Sequence, residues 1–393
     1  MVLSIPCMIL RGGTSKGIYL KDTDLPQDLL TKKKMILSIF GSPDRRQIDG
    51  LGGADPLTSK VCIIGTQPFK NSHAAGADLI YSFGQVGIND AFVDFRALCG
   101  NLTSGVGVFA IWEKLIKGLE PITVVKIYNT NLNRMLTAEI PVKNGMPMET
   151  GNYSIPGVPG KGAKINVDFS DTAGASTGKL LPTGNPIDVL KIPGIGALES
   201  SMVDIGNAHV FVRATDLGLK GNENSEQIDS NPDLLDRLEI IRGHAALAMG
   251  IINDSEASRT ESPATPLIAI VAPSQGYCNE MTGTPISSDQ CDFLSRLMFM
   301  QQAHKTYAGT STVCTGVASR IPGTIVHEVC RHNTRQNLKV LFGHPSGIIE
   351  TESKIEFNES QYKVSRATLG RTARRIMEGE VFLHQNFSKI KLR

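Results

Sequence analysis

Two short segments of the sequence, Cys99-Gly100-Asn101-Leu102-Thr103 and Ala308-Gly309-Thr310-Ser311-Thr312, begin in the same way. Each has a small residue, a glycine and then polar residues that can cap a helix. The alignment also brings Gly107 onto Gly316. A glycine inside a helix costs about 1 kcal/mol relative to alanine, so we expect a neighbouring backbone to pack closely against each helix. The two segments therefore predict one central helix wrapped by sheet in each half of the chain, and two similar domains.

The rest of the sequence is typical of a strand-rich chain. Its 393 residues suffice for two domains, and 39 glycines and 20 prolines separate short β-branched runs. Strands are predicted at Ser4–Leu10, Val61–Gly65, Leu79–Ile88, Ala91–Phe95, Ile122–Asn129, Lys164–Phe169, Met202–Val212, Leu267–Val271, Thr324–Val329 and Leu338–Phe342. Helices are predicted at Gln27–Phe40, Leu102–Ile116, Leu234–Met249, Asp289–Gln302 and Ser311–Arg320. These helices are too few to alternate with the strands, so we predict an α+β fold with mainly antiparallel sheets rather than a doubly wound parallel sheet.

The segment Gly151–Pro193 is rich in glycine and proline and is the natural junction between the domains. We place the boundary near Pro186. This predicts an N-terminal domain of residues 1–185, with its central helix after Cys99. The C-terminal domain, residues 186–393, has its central helix after Gly309, and its last strand is able to return to the first domain.

The charge and hydropathy of the chain exclude several kinds of partner. Lys and Arg number 40 against 38 for Asp and Glu, a net charge of +2, which is too small for long-range attraction to nucleic acid or anionic lipid. The basic clusters Lys32–Lys34 and Arg371–Arg375 are interpreted as solvated faces. No stretch approaches the roughly 18–20 apolar residues that cross a bilayer. We predict a soluble cytoplasmic protein with neither a nucleic-acid nor a membrane partner.

The cysteines and histidines do not form a recognisable metal site. The seven cysteines are odd in number, scattered and without a Cys-x-x-Cys pair, which argues against both a disulfide framework and a structural zinc. His327, Cys330 and His332 lie close in sequence but miss the His-Glu-x-x-His spacing by one residue. On the predicted strand, His327 and Cys330 point to opposite faces. We therefore predict no metal.

The starts of the two central helices are the first candidate site. Each presents unpaired N–H groups and about half a positive charge, which suits a carboxylate. Two facing starts would bind two carboxylates. Cys99 lies in this positive field, which favours a thiolate, so it is a candidate acid or base. The alternative is that Cys99 is simply a small buried residue.

Two glycine-rich loops are the next candidates. Gly50–Lys60 leads into a strand, its glycines let a backbone approach a ligand, and it could expose Lys60 at the start of the strand. It matches neither the P-loop spacing nor the dinucleotide-binding fingerprint. The second loop, Gly174–Lys179, does not match either motif. Nucleotide binding is therefore disfavoured.

Three further groups of polar residues have two interpretations each. Arg11–Gly17 places a guanidinium, an ammonium and two hydroxyls in one turn, which is able to clamp a carboxylate. The same residues suit a β-hairpin turn with exposed charges at least as well. Two sets of residues in the second half, His304 with Lys305 and the turn His344–Gly347, are positioned to contact a ligand. The alternative is that each histidine is a structural residue.

Motifs along nearly the whole chain together resemble the methylaconitate/methylitaconate isomerase family. They are Arg11–Gly17, Gln47–Gly50, Thr58–Lys60, Cys99–Asn101, Gly178–Asn185, His344–Gly347 and Thr372–Arg375. Members of this family are cofactor-independent isomerases: 2-methylaconitate cis-trans isomerase, 3-methylitaconate delta-isomerase and 4-oxalomesaconate tautomerase. The run Gly53–Lys60 resembles the methylitaconate isomerases slightly more than the methylaconitate branch.

The resemblance implies a diaminopimelate-epimerase-like fold with the active site in the cleft between two similar domains. It assigns proton transfer to Lys60 and Cys99, no cofactor, and a small polycarboxylate as substrate. The substrate-binding residues are then expected to be Thr14, Ser15, Lys16, Ser59, Gly100, Asn101, Lys305, Gly309, Thr310 and Ser311. A homo-oligomer is left open.

Ala308 bears on the kind of reaction. Epimerases of this fold place one thiol at each central helix, whereas the second position here is Ala308, and Cys314 falls about two turns into the helix. An amino-acid racemase is therefore disfavoured, and a non-catalytic carboxylate-binding accessory protein is the other alternative. A 1,3-proton shift or cis-trans isomerisation of an unsaturated polycarboxylate needs instead one group that removes a proton and one that returns it. Lysine does this near neutrality only when it is secluded, so we expect a secluded Lys60.

Overall fold

The chain folds into two units, and its C-terminal segment belongs to the first of them. The structure is a computed structural model that describes residues 3–66, 74–96, 98–358, 361–384 and 386–392. Unit 1 comprises Met1–Val167 and Arg371–Arg393, and unit 2 comprises Asp168–Gly370. The boundary therefore falls earlier than the predicted position after residue 185, and the chain crosses back to unit 1 near its end.

Unit 1 is a mostly antiparallel sheet with a helix in its centre. Its elements are β1 (Ser4–Gly12), β2 (Ser15–Lys21), α1 (Leu29–Phe40), β3 (Lys60–Gly65), β4 (Leu79–Val86), β5 (Val93–Asp94), α2 (Gly100–Trp112), β6 (Ile122–Asn129), β7 (Arg134–Lys143), β8 (Met146–Pro147), β9 (Ile165–Asp168) and β21 (Ala373–Phe382). The strand order is β21-β1-β2-β3-β4-β6-β7-β9. The β2–β3 and β4–β6 pairs are parallel. Helix α2 contacts β1, β2, β3, β7 and β21, so the sheet curls round it.

Unit 2 repeats this arrangement. Its elements are β10 (Asp188–Ile192), β11 (Gly196–Ile205), β12 (Asn207–Arg213), α3 (Ser225–Asp229), α4 (Pro232–Ala248), α5 (Ser258–Glu261), β13 (Leu267–Pro273), β14 (Tyr277–Cys278), β15 (Pro285–Ile286), β16 (Phe293–Phe299), β17 (Gln302–Ala303), α6 (Gly309–Ala318), α7 (Ile325–Val329), β18 (Lys339–His344), β19 (Gly347–Asn358) and β20 (Gln361–Arg371). The strand order is β10-β11-β12-β13-β16-β18-β19-β20. Again two pairs are parallel, β12–β13 and β16–β18, and α6 packs on β11, β12 and β19.

The two sheets have the same sequence of pairings, with one difference in the source of the first strand. In unit 2 that strand, β10, directly precedes β11 in the chain. In unit 1 the matching strand, β21, comes from the C-terminal segment and pairs antiparallel with β1 from Ser4↔Phe382 to Gly12↔Ala373. This pairing explains why residues 371–393 belong to unit 1.

Central helix α2 is buried along almost its whole length, from Gly100 to Ile111. Its glycines make room for side chains of the surrounding sheet. A Cβ added at Gly105 would lie 2.4 Å from Tyr19 Oη, and one added at Gly107 would lie 2.4 Å from Ile140 Cδ1. The predicted close packing is present, but the groups that approach these two glycines are side chains rather than a backbone.

The outer helices follow from ordinary capping and periodicity. The Asp28 side chain accepts a hydrogen bond from Thr31 N–H at the start of α1, and Gly41 ends the helix in the left-handed conformation. In α4, Asn231 caps the start and Pro232 occupies the first turn. Buried Leu234, Leu238, Ile241 and Ala245 recur at helical spacing on the face of α4 that joins the core of unit 2.

Two predicted elements are of the wrong type. Asp289–Gln302 was expected to be a helix, but Phe293–Phe299 forms strand β16. A short run of apolar residues that is buried on all sides has the same sequence pattern whether it forms a helix or a strand. Thr324–Val329 was expected to be a strand, but Ile325–Val329 is helix α7, because the Thr324 hydroxyl accepts a hydrogen bond from His327 N–H and caps a helical turn.

The early boundary has a physical cause in the loop after β9. Gly174 N–H donates to Asp204 O, and Asp204 N–H donates to Leu180 O, at 2.8 and 2.9 Å. These bonds tie residues 174–180 to β11 of unit 2, although their composition suggested a linker. The same strand region corrects the predicted strand Met202–Val212, which Gly206 (φ 70°) divides into the hairpin β11–β12.

Candidate active site

Lys60 is held at the start of β3 by a network of amide hydrogen bonds. Gln47 Oε1 accepts hydrogen bonds from Ala54 N–H and from the Ser59 hydroxyl, both at 2.8 Å. Gln85 Nε2 donates to Ser59 O at 3.1 Å. The glycine-rich loop is thereby fastened to the sheet on both sides. Lys60 is only 5% exposed. The side chain therefore lies at the start of the strand and is secluded, as the mechanism led us to expect, rather than presented to solvent by the loop.

The Lys60 ammonium lies beside the thiol of Cys99. Lys60 Nζ is 3.6 Å from Cys99 Sγ and 3.3 Å from Ser15 Oγ. Cys99 is the N-cap residue of α2, is 7% exposed, and its side chain makes no capping hydrogen bond. The first turn of α2 therefore presents N–H groups without a side-chain cap next to an amine and a thiol.

The β1–β2 turn packs against the same helix start. A Cβ at Gly12 would lie 2.6 Å from Asn101 O, and one at Gly13 (φ 52°) would lie 2.3 Å from Asn101 Oδ1. Only glycine fits at these two places. Asn101 Nδ2 donates to Thr14 Oγ1 at 3.1 Å, which positions the Thr14 hydroxyl at the helix start. The turn is thus a β-hairpin, and it still carries the predicted Thr14 and Ser15 to the site.

Arg371 is a site residue that the sequence analysis missed. Its Nε donates to Asn101 Oδ1 at 2.8 Å, and the side chain is 1% exposed. Burial lowers the pKa of the Arg371 guanidinium to about 10, and the nearby Tyr153 and Cys99 act in the opposite direction. The interpretation of Arg371–Arg375 as a solvated face is therefore wrong for Arg371, although Arg374 and Arg375 are exposed. The only signal in the sequence was the buried-strand pattern Ala367–Gly370 that precedes it.

The charged residues of the first turn have different partners. Arg11 Nη1 donates to Gly13 O and Thr372 O, each at 2.9 Å, so its guanidinium supports the hairpin and the returning C-terminal segment. Lys16 is half-buried, and its N–H donates to Leu57 O at 3.0 Å. The backbone of Lys16 thus joins the hairpin to the glycine-rich loop.

In unit 2, the start of α6 is organised by a histidine that the sequence analysis also missed. His209 is fully buried, and burial lowers its pKa to about 4. His209 Nδ1 lies 2.8 Å from Asn207 O, and Nε2 lies 2.7 Å from Ser311 Oγ. Since a carbonyl only accepts, Nδ1 carries the proton and Nε2 accepts from the Ser311 hydroxyl. Asn207 Nδ2 donates to Thr310 Oγ1 at 2.9 Å, so both predicted hydroxyls of α6 are held in place.

The remaining residues predicted from unit 2 have mixed environments. Gly309 begins α6 and is buried. Lys305 is exposed, and its carbonyl accepts a hydrogen bond from the Ser346 hydroxyl. His304 Nδ1 and His344 Nδ1 accept hydrogen bonds from the N–H groups of Thr306 and Ser346. Each imidazole therefore takes part in the hydrogen bonding of its own turn.

The loop Gly174–Lys179 binds the carboxyl group of Asp204. Asp204 Oδ2 accepts hydrogen bonds from Ser176 N–H, Thr177 N–H and the Thr177 hydroxyl at 2.7–2.9 Å. Burial raises the pKa of Asp204, and these donors oppose the rise. The loop thus resembles an anion-binding turn because it binds a carboxylate of its own unit.

Within the described ranges, no group of three or more His, Cys, Asp or Glu side chains is arranged to hold a metal ion. None of the helices in that part of the chain is long and apolar enough to span a membrane.

A family model described as PrpF protein matches residues 2–384. The chain belongs to this family. A curated relative, 3-methylitaconate isomerase of Eubacterium barkeri, is 49% identical over 98% of both chains. The 2-methyl-aconitate isomerase of Shewanella oneidensis is 36% identical, with 96% of each chain covered.

Solved structures agree with these relatives. A methylitaconate-delta-isomerase matches with a TM-score of 0.83 at 49% identity, covering 98% of this chain and 97% of the other. A hydroxyproline epimerase from Agrobacterium vitis matches with a TM-score of 0.57 at 10% identity, covering 98% and 94%, which shows a shared fold. The predicted family, the epimerase-like α+β fold and the isomerase class are confirmed.

Proposed function

We propose that the protein is an isomerase that moves a proton within an unsaturated di- or tricarboxylate, by a 1,3-shift or a cis-trans isomerisation. The substrate is of the 3-methylitaconate or 2-methylaconitate type. The observation that carries the proposal is the distance of 3.6 Å between Lys60 Nζ and Cys99 Sγ at the start of α2. The 49% identity to a 3-methylitaconate isomerase supports the substrate class.

Lys60 and Cys99 are the proposed proton carriers. One of them removes a proton from the carbon next to the double bond, and the electron pair spreads into the conjugated carboxylate as a dienolate. The other returns a proton to the far end of the same system, so the substrate loses and gains one proton. Either group is able to start the reaction, and no cofactor takes part.

The dienolate carries its extra charge on a carboxylate, and the site offers positive groups for it. The open N–H groups at Gly100 and Asn101 point along the helix axis, and each well-placed donor of this kind is worth a few kcal/mol in an oxyanion site. Arg371, buried against Asn101, adds a positive charge nearby. We assign binding of the carboxylates to Thr14, Ser15, Lys16 and Ser59 in unit 1.

A second carboxylate is assigned to unit 2. Gly309, Thr310 and Ser311 form the start of α6, and Lys305 lies just before it. The bond from Ser311 to His209 fixes the hydroxyl hydrogen and leaves the oxygen lone pairs and the helix N–H groups for a ligand. We place the protein in the cytoplasm, with neither nucleic acid nor membrane as partner.

The test uses deuterated water and NMR. The protein is incubated separately with methylitaconate, methylaconitate and oxalomesaconate, and both the isomer and the deuterium content of each are followed. We expect isomerisation with deuterium incorporation for at least one substrate, and loss of both in Cys99→Ser because a hydroxyl is a much weaker acid than a thiol. Binding of all three compounds without any exchange would instead identify a carboxylate-binding protein.

A further inference from the structure

Unit 2 contains a large cavity at the end of α6 opposite to Thr310 and Ser311. Its volume is about 620 Å³, within the range of small-molecule sites. The lining comes from the segment after α6, the loop before β18 and the hairpin β19–β20, and includes Arg320, His327, Arg335, Lys354, Phe357 and Tyr362. A helix of ten residues such as α6 is about 15 Å long. The cavity is therefore separate from the start of α6 that the proposed function uses.

Arg320 brings a buried cation with spare hydrogen-bonding capacity to this cavity. The side chain is 7% exposed. Its Nη2 donates to Lys339 O at 2.9 Å and its Nη1 to Ser319 Oγ at 3.3 Å, whereas the buried Nε has no hydrogen-bond partner. A buried donor that lacks a partner costs about 1–3 kcal/mol. The Arg320 guanidinium is thus able to gain from a ligand oxygen.

Arg335 adds a second guanidinium whose contacts are with neutral groups. Arg335 Nε donates to Cys330 O at 3.1 Å, and Nη2 donates to Glu328 O at 2.9 Å. Within the described part of the chain, neither Arg320 nor Arg335 forms an ion pair with a carboxylate. Burial lowers the pKa of His327, and the charges of Arg335, Arg320 and His332 lower it further. The cavity therefore has an excess of positive charge.

The acidic residues around the cavity are engaged elsewhere or lie at its edge. Glu328 pairs with Arg213, Nη2 to Oε2, at 2.5 Å. Asp292, which interacts with Arg320 electrostatically, accepts Leu341 N–H at 2.9 Å. Glu356 lies 3.7 Å from Lys354 at the exposed hairpin. These carboxylates leave the two guanidinium groups available to an external anion.

An aromatic wall stands at the hairpin side of the cavity. The rings of Phe357 and Tyr362 have centroids 4.9 Å apart and planes at 53°. Phe357 is 63% exposed, which is unusual for so large an apolar side chain. A purely inorganic anion makes no use of this wall, whereas an apolar ring or chain gains by covering it.

We propose that this cavity binds a small organic anion. Its carboxylate or phosphate group contacts Arg320 and Arg335, and its apolar part covers Phe357 and Tyr362. Carboxylate and phosphate oxygens both match the planar donors of arginine, so the shared chemistry is an oxyanion attached to an apolar body. The site is independent of Lys60 and Cys99.

Calorimetric titration of the full-length protein with benzoate, phenyl phosphate and inorganic phosphate tests this proposal. We expect saturable binding of benzoate or phenyl phosphate, and the tighter of the two identifies the kind of oxyanion. Arg320→Gln and Arg335→Gln should each raise the Kd roughly tenfold or more, since one charge-assisted contact is lost. Phe357→Ala should weaken phenyl phosphate but leave inorganic phosphate unchanged.

Matched controls locate the binding. Lys363→Gln removes an exposed cation on the same strand, β20, outside the cavity lining, and should leave the Kd unchanged. Lys60→Ala should leave it unchanged too, which separates this site from the proposed active site. If Arg320→Gln is unstable because its bond to Lys339 O is lost, Arg335→Gln and Phe357→Ala still show whether the anion binds in this cavity. No saturable binding, binding insensitive to both of these variants, or binding of inorganic phosphate alone overturns the proposal.

Discussion

Lys60 combines properties that are rarely found together in a lysine. The side chain is 5% exposed, and its ammonium lies 3.3 Å from a hydroxyl and 3.6 Å from a thiol. Lysines are almost never this buried without a specific reason. An ammonium placed beside a thiol at a helix start provides two groups that exchange protons readily, which is the arrangement that a proton-transfer enzyme needs.

Replacing Lys60 by alanine should remove nearly all turnover while leaving the fold intact. General acid–base catalysis contributes about 10²- to 10⁴-fold, so kcat should fall by that factor, measured by NMR with the preferred substrate. The far-UV spectrum and the unfolding midpoint should stay close to those of the wild type. Lys126→Ala, the same change at an exposed position of β6, is the control. Turnover near the wild-type rate in Lys60→Ala would refute the role of Lys60.

His209 should make the stability of the protein sensitive to mild acid. The pKa of His209 falls from 6.5 to about 4 on folding because the ring is buried. Between these values the unfolded chain binds a proton that the folded chain does not, so the free energy of unfolding decreases as the pH falls through this window. At pH 5 the loss should be about 2 kcal/mol relative to pH 7.5.

The measurement is urea unfolding across this pH range, in the wild type and in His209→Gln. Glutamine does not titrate and still offers an oxygen to Ser311. The difference in unfolding free energy between the two proteins should therefore shrink toward low pH, in favour of the variant. Parallel curves from pH 7.5 to pH 5 would show that His209 is not the titrating group.

Some of these residues could be recognised from the sequence, and others could not. Cys99 is marked by Gly100 next to it and Lys60 by the glycine-rich loop that starts at Gly50, because a turn and an uncapped helix start have local signatures. Arg371 has only the buried strand before it as a signal and His209 has none, since each of them contacts a partner far along the chain. Arg371 contacts Asn101 across 270 positions, and His209 contacts Ser311 across 102.

At the level of elements, central helix α2 depends on the absence of side chains at particular positions. Tyr19 donates its hydroxyl hydrogen to Leu102 O at 2.5 Å, over the surface of Gly105. This bond ties β2 to the first turn of α2, where Cys99 is the cap. The position of the thiol therefore depends on a contact one turn further along the helix.

Gly105→Ala should destabilise unit 1 despite the better helix propensity of alanine. The added methyl would lie 2.4 Å from Tyr19 Oη, and overpacking of this kind costs about 1–3 kcal/mol. Gly379→Ala is the matched control, because its nearest new neighbour is Met377 Sδ at 3.5 Å, an ordinary contact, and its effect should stay within about 0.5 kcal/mol. Denaturant unfolding measures both. Equal stabilities would mean that Tyr19 moves aside without cost.

Elements with a local signature were predictable, whereas evenly buried runs were predicted correctly in one case, β13, and wrongly in another, β16. The capped amphipathic helices α1 and α4 and the alternating strands β6 and β18 lie close to their predicted positions. By contrast, β16 has six consecutive buried residues, from Phe293 to Met298, so its sequence shows no period. Its type is decided by its neighbours β13 and β18.

At the level of the whole chain, the return of the C-terminal segment is the feature that sequence patterns describe least well. Strand β21 pairs with β1 over its full length, and Val381 and Leu383 join the core around α1. This return was allowed for in the sequence analysis but the strand was not placed, because β21 is buried only at Ala373 and Val381 and shows no alternation. The predicted boundary after residue 185 was based on the glycine- and proline-rich composition of the segment. The hydrogen bonds that tie residues 174–180 to β11 instead place that segment in unit 2.

A chain that ends after Gly370 should therefore lose structure in the unit that is distant in sequence. Without β21 and Arg371, β1 lacks one neighbour and Asn101 lacks its guanidinium. Hydrogen exchange should become fast for the amides of β1, whereas those of β13 in unit 2 stay protected. Isomerase activity should be lost. Unchanged protection of β1 would contradict the role given to β21.

This topology has a consequence for biosynthesis. A ribosome makes Lys60 and Cys99 well before β21, the strand that completes their sheet. At about 5–20 residues per second, β21 follows Cys99 by roughly 15–55 seconds. Until β21 is made, β1 lacks its partner strand and presents an open edge to other chains. The sheet around Lys60 and Cys99 is consequently completed only after every strand of unit 2 has been made.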